Sequence, residues 1–221
     1  MTVNTDKFNK GTGMTTKADT KFKREAKRGS HDYELACAVL DAGKVCHCGF
    51  TLDDQPYVVP MAYARMGDQL LIHGSVASRL IKNLAEGLRC CVTTTHFDGL
   101  VYARSSFNSS INYRSVMVFG VARLITDEAE KSECVDALIE YLMPGRLADL
   151  RASTRKELNA TSMLKLPIET FSVKQRVGGP SDAKSDMETP IWAGVVPLDT
   201  VAGEPIDSPD LMAGIKRPDY L

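Results

Sequence analysis

The chain has 221 residues, 43% of them hydrophobic and 25% charged, and a formal net charge of −1. That length holds one good-sized domain, or at most two small ones, with the composition of an ordinary globular protein. The near-neutral charge gives no global attraction to nucleic acid or anionic membrane, and no run of about eighteen apolar residues is present to span a bilayer.

The first thirty residues, "MTVNTDKFNKGTGMTTKADTKFKREAKRGS", carry basic groups but no apolar core, so they do not read as a secretory signal. We expect a flexible or extended arm over residues 1–22, then one domain over 23–221. "HDYELACAVLDAG" has Leu35, Val39 and Leu40 at helical spacing and Gly43 as a stop. "KVCHCGFTL" and "QPYVVPMAYARM", separated by Asp53–Asp54, predict an antiparallel hairpin, and Gly67–Asp68 a turn into "QLLIHG". A short helix is expected from about Val76 to Glu86. "LRCCVTTTHF" and "GLVYARSS" read as two strands, and "NYRSVMVFGVARLI" as the longest one. Thr126 is the expected cap of a helix over "DEAEKSECVDALIEYLM", with Val135, Leu138, Ile139 and Leu142 as its buried stripe. "SMLKLPIETFSVKQRV" gives one or two more strands. From about residue 178 the glycine-, proline- and acid-rich sequence reads as a long loop or tail. This succession, without regular strand–helix alternation, predicts a mainly β barrel or sandwich with peripheral helices.

The six cysteines include "CHC" at 46–48 and "CC" at 90–91, but neither spacing is that of a structural zinc site, and all six have apolar neighbours. They read as buried thiols, which suits a reducing cytoplasm.

The stretch richest in hydrogen-bonding groups is "QLLIHGSVASRLIKNL", Gln69–Leu84. A strand ending at His73 runs through Gly74, which would let the backbone approach a ligand closely, and Ser75 into a helix whose free N–H groups favour an anion. Ser75 and Arg79, and likewise Ser78 and Lys82, lie four apart on neighbouring parts of one surface, with Leu80, Ile81 and Leu84 on the buried side. One face is thus suited to phosphate. The same pattern also fits a plain capped amphipathic helix with Arg79 and Lys82 in solvent.

Four segments, "YVVPMAYARM", "LLIHGSVASRLIKNL", "SSINYRSVMVFGVARLI" and "SVKQRVGGPSD" with "ETPIWAGVVPL", together resemble the FMN-binding split-barrel superfamily of pyridoxamine-phosphate-oxidase-like proteins, nearest its nitroimidazole-resistance branch. The resemblance implies a mostly antiparallel six-stranded Greek-key barrel and a homodimer with FMN between subunits. It implies that Pro60, Met61 and Tyr63 lie along the isoalloxazine ring, partly through backbone groups, with His73 near the flavin. Ser75, Ser78, Arg79 and Lys82 would cradle phosphate and ribityl chain. Tyr113, Arg114 and Ser115 would approach from the long strand, and Trp192 would reach the other subunit's cofactor or close its pocket. The basic pair with which true pyridoxamine-phosphate oxidases grip their substrate is missing, since the corresponding places read "YVVPMAYAR" and "NYRSV".

The function expected on these grounds is reduction of a small quinone- or nitro-type electrophile by FMN with electrons from NAD(P)H. His73, ordinarily titrating at roughly 6.5, would deliver a proton. No nicotinamide-binding glycine fingerprint is visible. Two alternatives stand beside it: a non-catalytic flavin carrier, sensor or partner module, and a haem-handling split barrel with His73, His47 or Cys46 as axial ligand.

Overall fold

The computed structural model of the protein describes residues 18–221, so most of the expected arm lies outside it. In chain order the elements are β1 (Gly29–Ser30), α1 (Tyr33–Asp41), β2 (Val45–Leu52), β3 (Gln55–Met66), β4 (Gln69–Ser75), α2 (Arg79–Ala85), β5 (Arg89–Tyr102), β6 (Ser110–Val121), β7 (Arg123–Leu124), α3 (Glu128–Leu142), α4 (Arg155–Ala160), β8 (Thr161–Pro167), β9 (Thr170–Arg176) and β10 (Gly194–Pro197). The strands follow one another in space as β1-β9-β6-β5-β2-β3-β4-β8-β7, with β10 on β5. All pairings are antiparallel. This is the mainly β architecture with peripheral helices that the sequence predicts.

The hairpin β2–β3 turns on Asp53 and Asp54, both at positive φ (50° and 61°), the geometry of a two-residue turn whose twist matches the strands. That turn sets Phe50 opposite Tyr57 and His47 opposite Pro60. Strand alternation then sends Cys46, Cys48 and Phe50 inward and leaves Val45 and His47 exposed. Here they meet Tyr63, Leu70, Ile72, Val92, Val116, Val118, Leu164, Leu166 and Val173 in the main core, which α1 closes with Ala36, Val39 and Leu40, and α2 with Leu80, Ile81 and Leu84. A second, smaller core packs α3 through Cys134 and Leu138 onto Ala64, Leu71 and Met163.

Several local expectations differ in detail. "LRCCVTTTHF" and "GLVYARSS" form one strand, β5, bent by a bulge between Phe97 and Gly99, and at 14 residues it exceeds the 12 of β6. The cap of α3 is Asp127, whose carboxylate accepts from the Glu130 amide at 2.8 Å; Thr126 lies one residue too early. The stripe of α3 is carried by Cys134 and Leu138, with Val135 and Leu142 half-buried beside them. The tail is not all loop, since β10 pairs with the edge of β5 over Gly99–Tyr102. Helix α4, closed by a Thr154/Glu157 capping box, was not foreseen. Of the six free thiols, Cys46, Cys48, Cys90 and Cys134 are buried.

Candidate functional site

At the β4–α2 junction the strand runs on through Ser75, whose Oγ accepts from the Ala77 amide at 3.2 Å. The helix begins only at Arg79, three residues later than expected, and Ser78 occupies the cap position with its hydroxyl bonded to no helix amide. The first-turn N–H groups of α2 therefore lack a side-chain acceptor. Beside them stand Arg79 and Lys82, both exposed. Neither belongs to any ion pair among the described residues. The Arg79 guanidinium lies 4.4 Å above the Tyr57 ring, which stacks on Phe50 at 5.2 Å. Tyr57 went unnoticed in the sequence, although the two-residue turn at Asp53–Asp54 fixes its pairing with Phe50 by arithmetic alone.

Gly74 has a different reason than ligand approach. A Cβ there would sit 2.7 Å from Ile81 Cγ1, so the glycine lets α2 seat directly on β4. Gly74→Ala is expected to lower folding stability by about 1–3 kcal/mol, as read from urea midpoints.

His73 lies two residues before Ser75, on the same face of β4. Its Nδ1 is buried and has no hydrogen-bond partner. Burial lowers its pKa, which favours the neutral ring. The Nδ1 nitrogen is enclosed by the protein, so only the Nε2 side of the ring could meet a ligand.

The other expected residues are dispersed. On β3, Pro60 faces outward and is exposed, whereas Met61 packs against the core. Tyr63 is fully buried with its hydroxyl donating to the Leu40 carbonyl, which leaves its ring no route to a ligand. On β6, Arg114 is clamped side-on by Asp98 at 2.8 and 2.9 Å, at the wall of a cavity of about 670 Å³ that also holds Thr95, His96 and Asp199. Asp98 is held below its ordinary pKa chiefly by that arginine. Ser115 donates to the Lys174 carbonyl at 3.1 Å, and Tyr113 is half-buried. Trp192 is 66% exposed and rests on Tyr102, with ring centroids 5.6 Å apart. No hydrogen bond, ion pair or ring stacking among the described residues joins Trp192 or the β6 trio to the junction. The junction alone thus gathers His73, Ser75, Ser78, Arg79 and Lys82.

No helix of the described residues is long and apolar enough to cross a membrane. Among curated proteins none matches the sequence. Solved structures do. A protein described as the FAD and heme binding protein from Mycobacterium smegmatis is similar at TM-score 0.84 and 42% identity, over 87% of this chain and 95% of that one. The flavocytochrome Anf3 from Azotobacter vinelandii is similar at TM-score 0.87 and 38% identity, over 92% of this chain and 95% of that one. A protein provisionally described as a 5-nitroimidazole antibiotic resistance protein, from Bacteroides thetaiotaomicron, shares the fold at TM-score 0.58 and 24% identity, over 66% of this chain and 86% of that one. The family model described as pyridoxamine 5'-phosphate oxidase matches residues 32–175, most of the barrel. With these matches on a ten-stranded antiparallel sheet, the chain belongs to the pyridoxamine 5'-phosphate oxidase family of split-barrel proteins.

Proposed function

We propose that the protein is a redox flavoprotein that seats a flavin phosphate on the β4–α2 junction. The observation that carries this reading is the conjunction of an uncapped first helical turn with two cations, Arg79 and Lys82, that no carboxylate neutralises among the described residues. Relatives at 42% and 38% identity, one named for FAD and one a flavocytochrome, support it. A single cradle of this kind suits the one phosphate of FMN; FAD would need further surface for its adenylate half.

Bound flavin supplies the hydride and single-electron chemistry. The chain's own part is to hold the phosphate by Ser75, Ser78, Arg79 and Lys82. The neutral His73 is placed to orient a polar edge by hydrogen bonding rather than to store a proton. NAD(P)H is the donor in this reading, and a small quinone- or nitro-type compound the acceptor. The working unit is a homodimer: Val45, Val58, Phe97, Met117 and Val121 are exposed on β2, β3, β5 and β6, an apolar surface that a second copy would cover, with Trp192 free to reach across.

A second reading adds haem, and His73 favours it. A neutral, half-buried imidazole is the chemistry of an axial ligand, which would bind through Nε2, since Nδ1 is enclosed. Of the other two candidates, the Cys46 thiol is enclosed in the core and pushed by burial up to about 12, whereas His47 is exposed on β2.

One experiment tests both. Purified protein is reconstituted with FMN, FAD and haem in turn, its spectrum recorded, and the bound molecules released by acid and weighed. Flavin at about one per chain, bleached anaerobically by NADH or NADPH, is the expected result. A Soret band that disappears in His73→Ala would add the haem. Protein that neither retains flavin nor quenches its fluorescence would remove the proposal.

A further inference from the structure

We propose a second oxyanion site, built by Arg176 with Lys27 and Arg28, that takes a phosphate-bearing small molecule. Arg176 ends β9 and is only 8% exposed. Its Nη1 donates to Asn112 Oδ1 at 2.5 Å and to the Gly178 carbonyl at 3.1 Å, and its Nη2 to the Gly179 carbonyl at 2.9 Å. All three acceptors are neutral. No carboxylate among the described residues lies within ion-pair distance of it. Buried charges are ordinarily paired, because an uncompensated one is costly to desolvate. A guanidinium has five donors, so the Nε–H and one Nη2–H remain without a partner among the described residues, and that edge is the one that grips an oxyanion side-on.

Arg176 lines a notch of about 310 Å³ together with Lys27, Arg28, Gln175 and Ser181. Lys27 and Arg28 are presented by a short 3-10 turn, Ala26–Arg28, which is tied to β9 through the pairing of Gly29 with Lys174. Arg28 shares its charge with Glu25 at 3.4 Å, while Lys27 has no acid partner among the described residues. Three cations against one carboxylate leave the notch two positive charges in excess, the complement of a phosphate dianion. The nearby Asp182 does not reduce this, since Arg104 holds both of its oxygens at 2.8 and 2.9 Å. The notch has room for more than a bare phosphate, so the phosphate arrives on a small molecule. In the sheet, β6, β5, β2 and β3 lie between β9 and β4, and the notch shares no lining residue with the β4–α2 junction.

The test is calorimetric titration with pyrophosphate of the full chain, with and without bound flavin, and of two double variants. The flavin-loaded chain is expected to bind at one site, the notch, and the flavin-free chain at that site and at the empty cradle. Lys27→Ala/Arg28→Ala, surface positions whose truncation leaves Arg176 and the core in place, is expected to weaken binding by about tenfold or more. Arg79→Ala/Lys82→Ala is expected to remove only pyrophosphate bound at the empty flavin cradle and to leave the notch occupied. Absence of binding, or equal binding by the Lys27/Arg28 variant, overturns the site. Loss of all binding on flavin loading, or in the Arg79/Lys82 variant, overturns it equally, because the pyrophosphate would then be occupying only the flavin cradle. The flavin-loaded arm rests on the flavin proposal; the Lys27/Arg28 comparison in the flavin-free chain stands without it.

Discussion

Tyr63→Ala is expected to cost about 3–5 kcal/mol of folding stability while Tyr63→Phe costs about 1, a contrast that urea denaturation of the two variants measures. The ring is wholly enclosed in the main core, and its hydroxyl donates to the Leu40 carbonyl. Tyr141 donates to the same carbonyl at 2.7 Å and to the Gly43 carbonyl at 2.8 Å, so removing only the Tyr63 hydroxyl leaves Leu40 satisfied. Burial holds the Tyr63 hydroxyl far above its ordinary pKa, and it remains a donor at any working pH. The site has no slack on its other side either, as a Cβ on Gly43 would lie 2.7 Å from the Tyr63 hydroxyl oxygen and 2.9 Å from Thr94 Oγ1. Deleting the ring would therefore open a cavity at the seam of α1, α3 and β3. The pair also separates structure from function: Tyr63→Phe should take up flavin as wild type does. A Tyr63→Phe variant of native stability and much reduced flavin affinity would return this residue to the binding site.

That contrast shows how far the sequence could be read. Hairpin β2–β3, the turn at Gly67 and the buried side of α2 follow from rules that act within ten residues: turn chemistry, alternation and helical spacing. The capping box of α4 was equally local, since Thr154 and Glu157 stand three apart as that motif requires, and it was legible but unread. What the sequence did not show are the long-range partners. Arg114 reads as a possible ligand contact until Asp98, sixteen residues away across a bulge, is seen to clamp it. Met61 and Tyr63 share a strand with Pro60, but which parity faces the core is decided by the neighbouring strands, not by the segment. Gly74 suggested ligand approach because a helix followed it; only the seating of Ile81 gives the actual cause. Trp192 rests on Tyr102 because β10 docks on the edge of β5, a pairing between segments some ninety residues apart that carries no local signal.

The residues of the junction bear the largest functional prediction. In Arg79→Ala/Lys82→Ala we expect flavin affinity to fall by about a hundredfold or more, since each charge-assisted hydrogen bond to a phosphate is worth roughly tenfold or better. The loss should shrink at high salt, where wild-type binding itself weakens through screening. Stability should barely move, because neither side chain is buried or ion-paired among the described residues; the substitution removes only the stacking of Arg79 on the Tyr57 ring, about 0.5–1 kcal/mol at an exposed site. Quenching of flavin fluorescence, titrated in wild type and in each single variant, measures the effect. Arg79→Lys adds a further distinction: it keeps the charge but gives up the planar fork that Tyr57 holds in place, so it should recover only part of the affinity. If Tyr57→Leu imitates that partial loss, the aromatic stack is what aims the guanidinium at the phosphate. If instead the double variant binds flavin as tightly as wild type, α2 is a solvated amphipathic helix, and the flavin must be held by the outer faces of β3 and β6 with a second subunit.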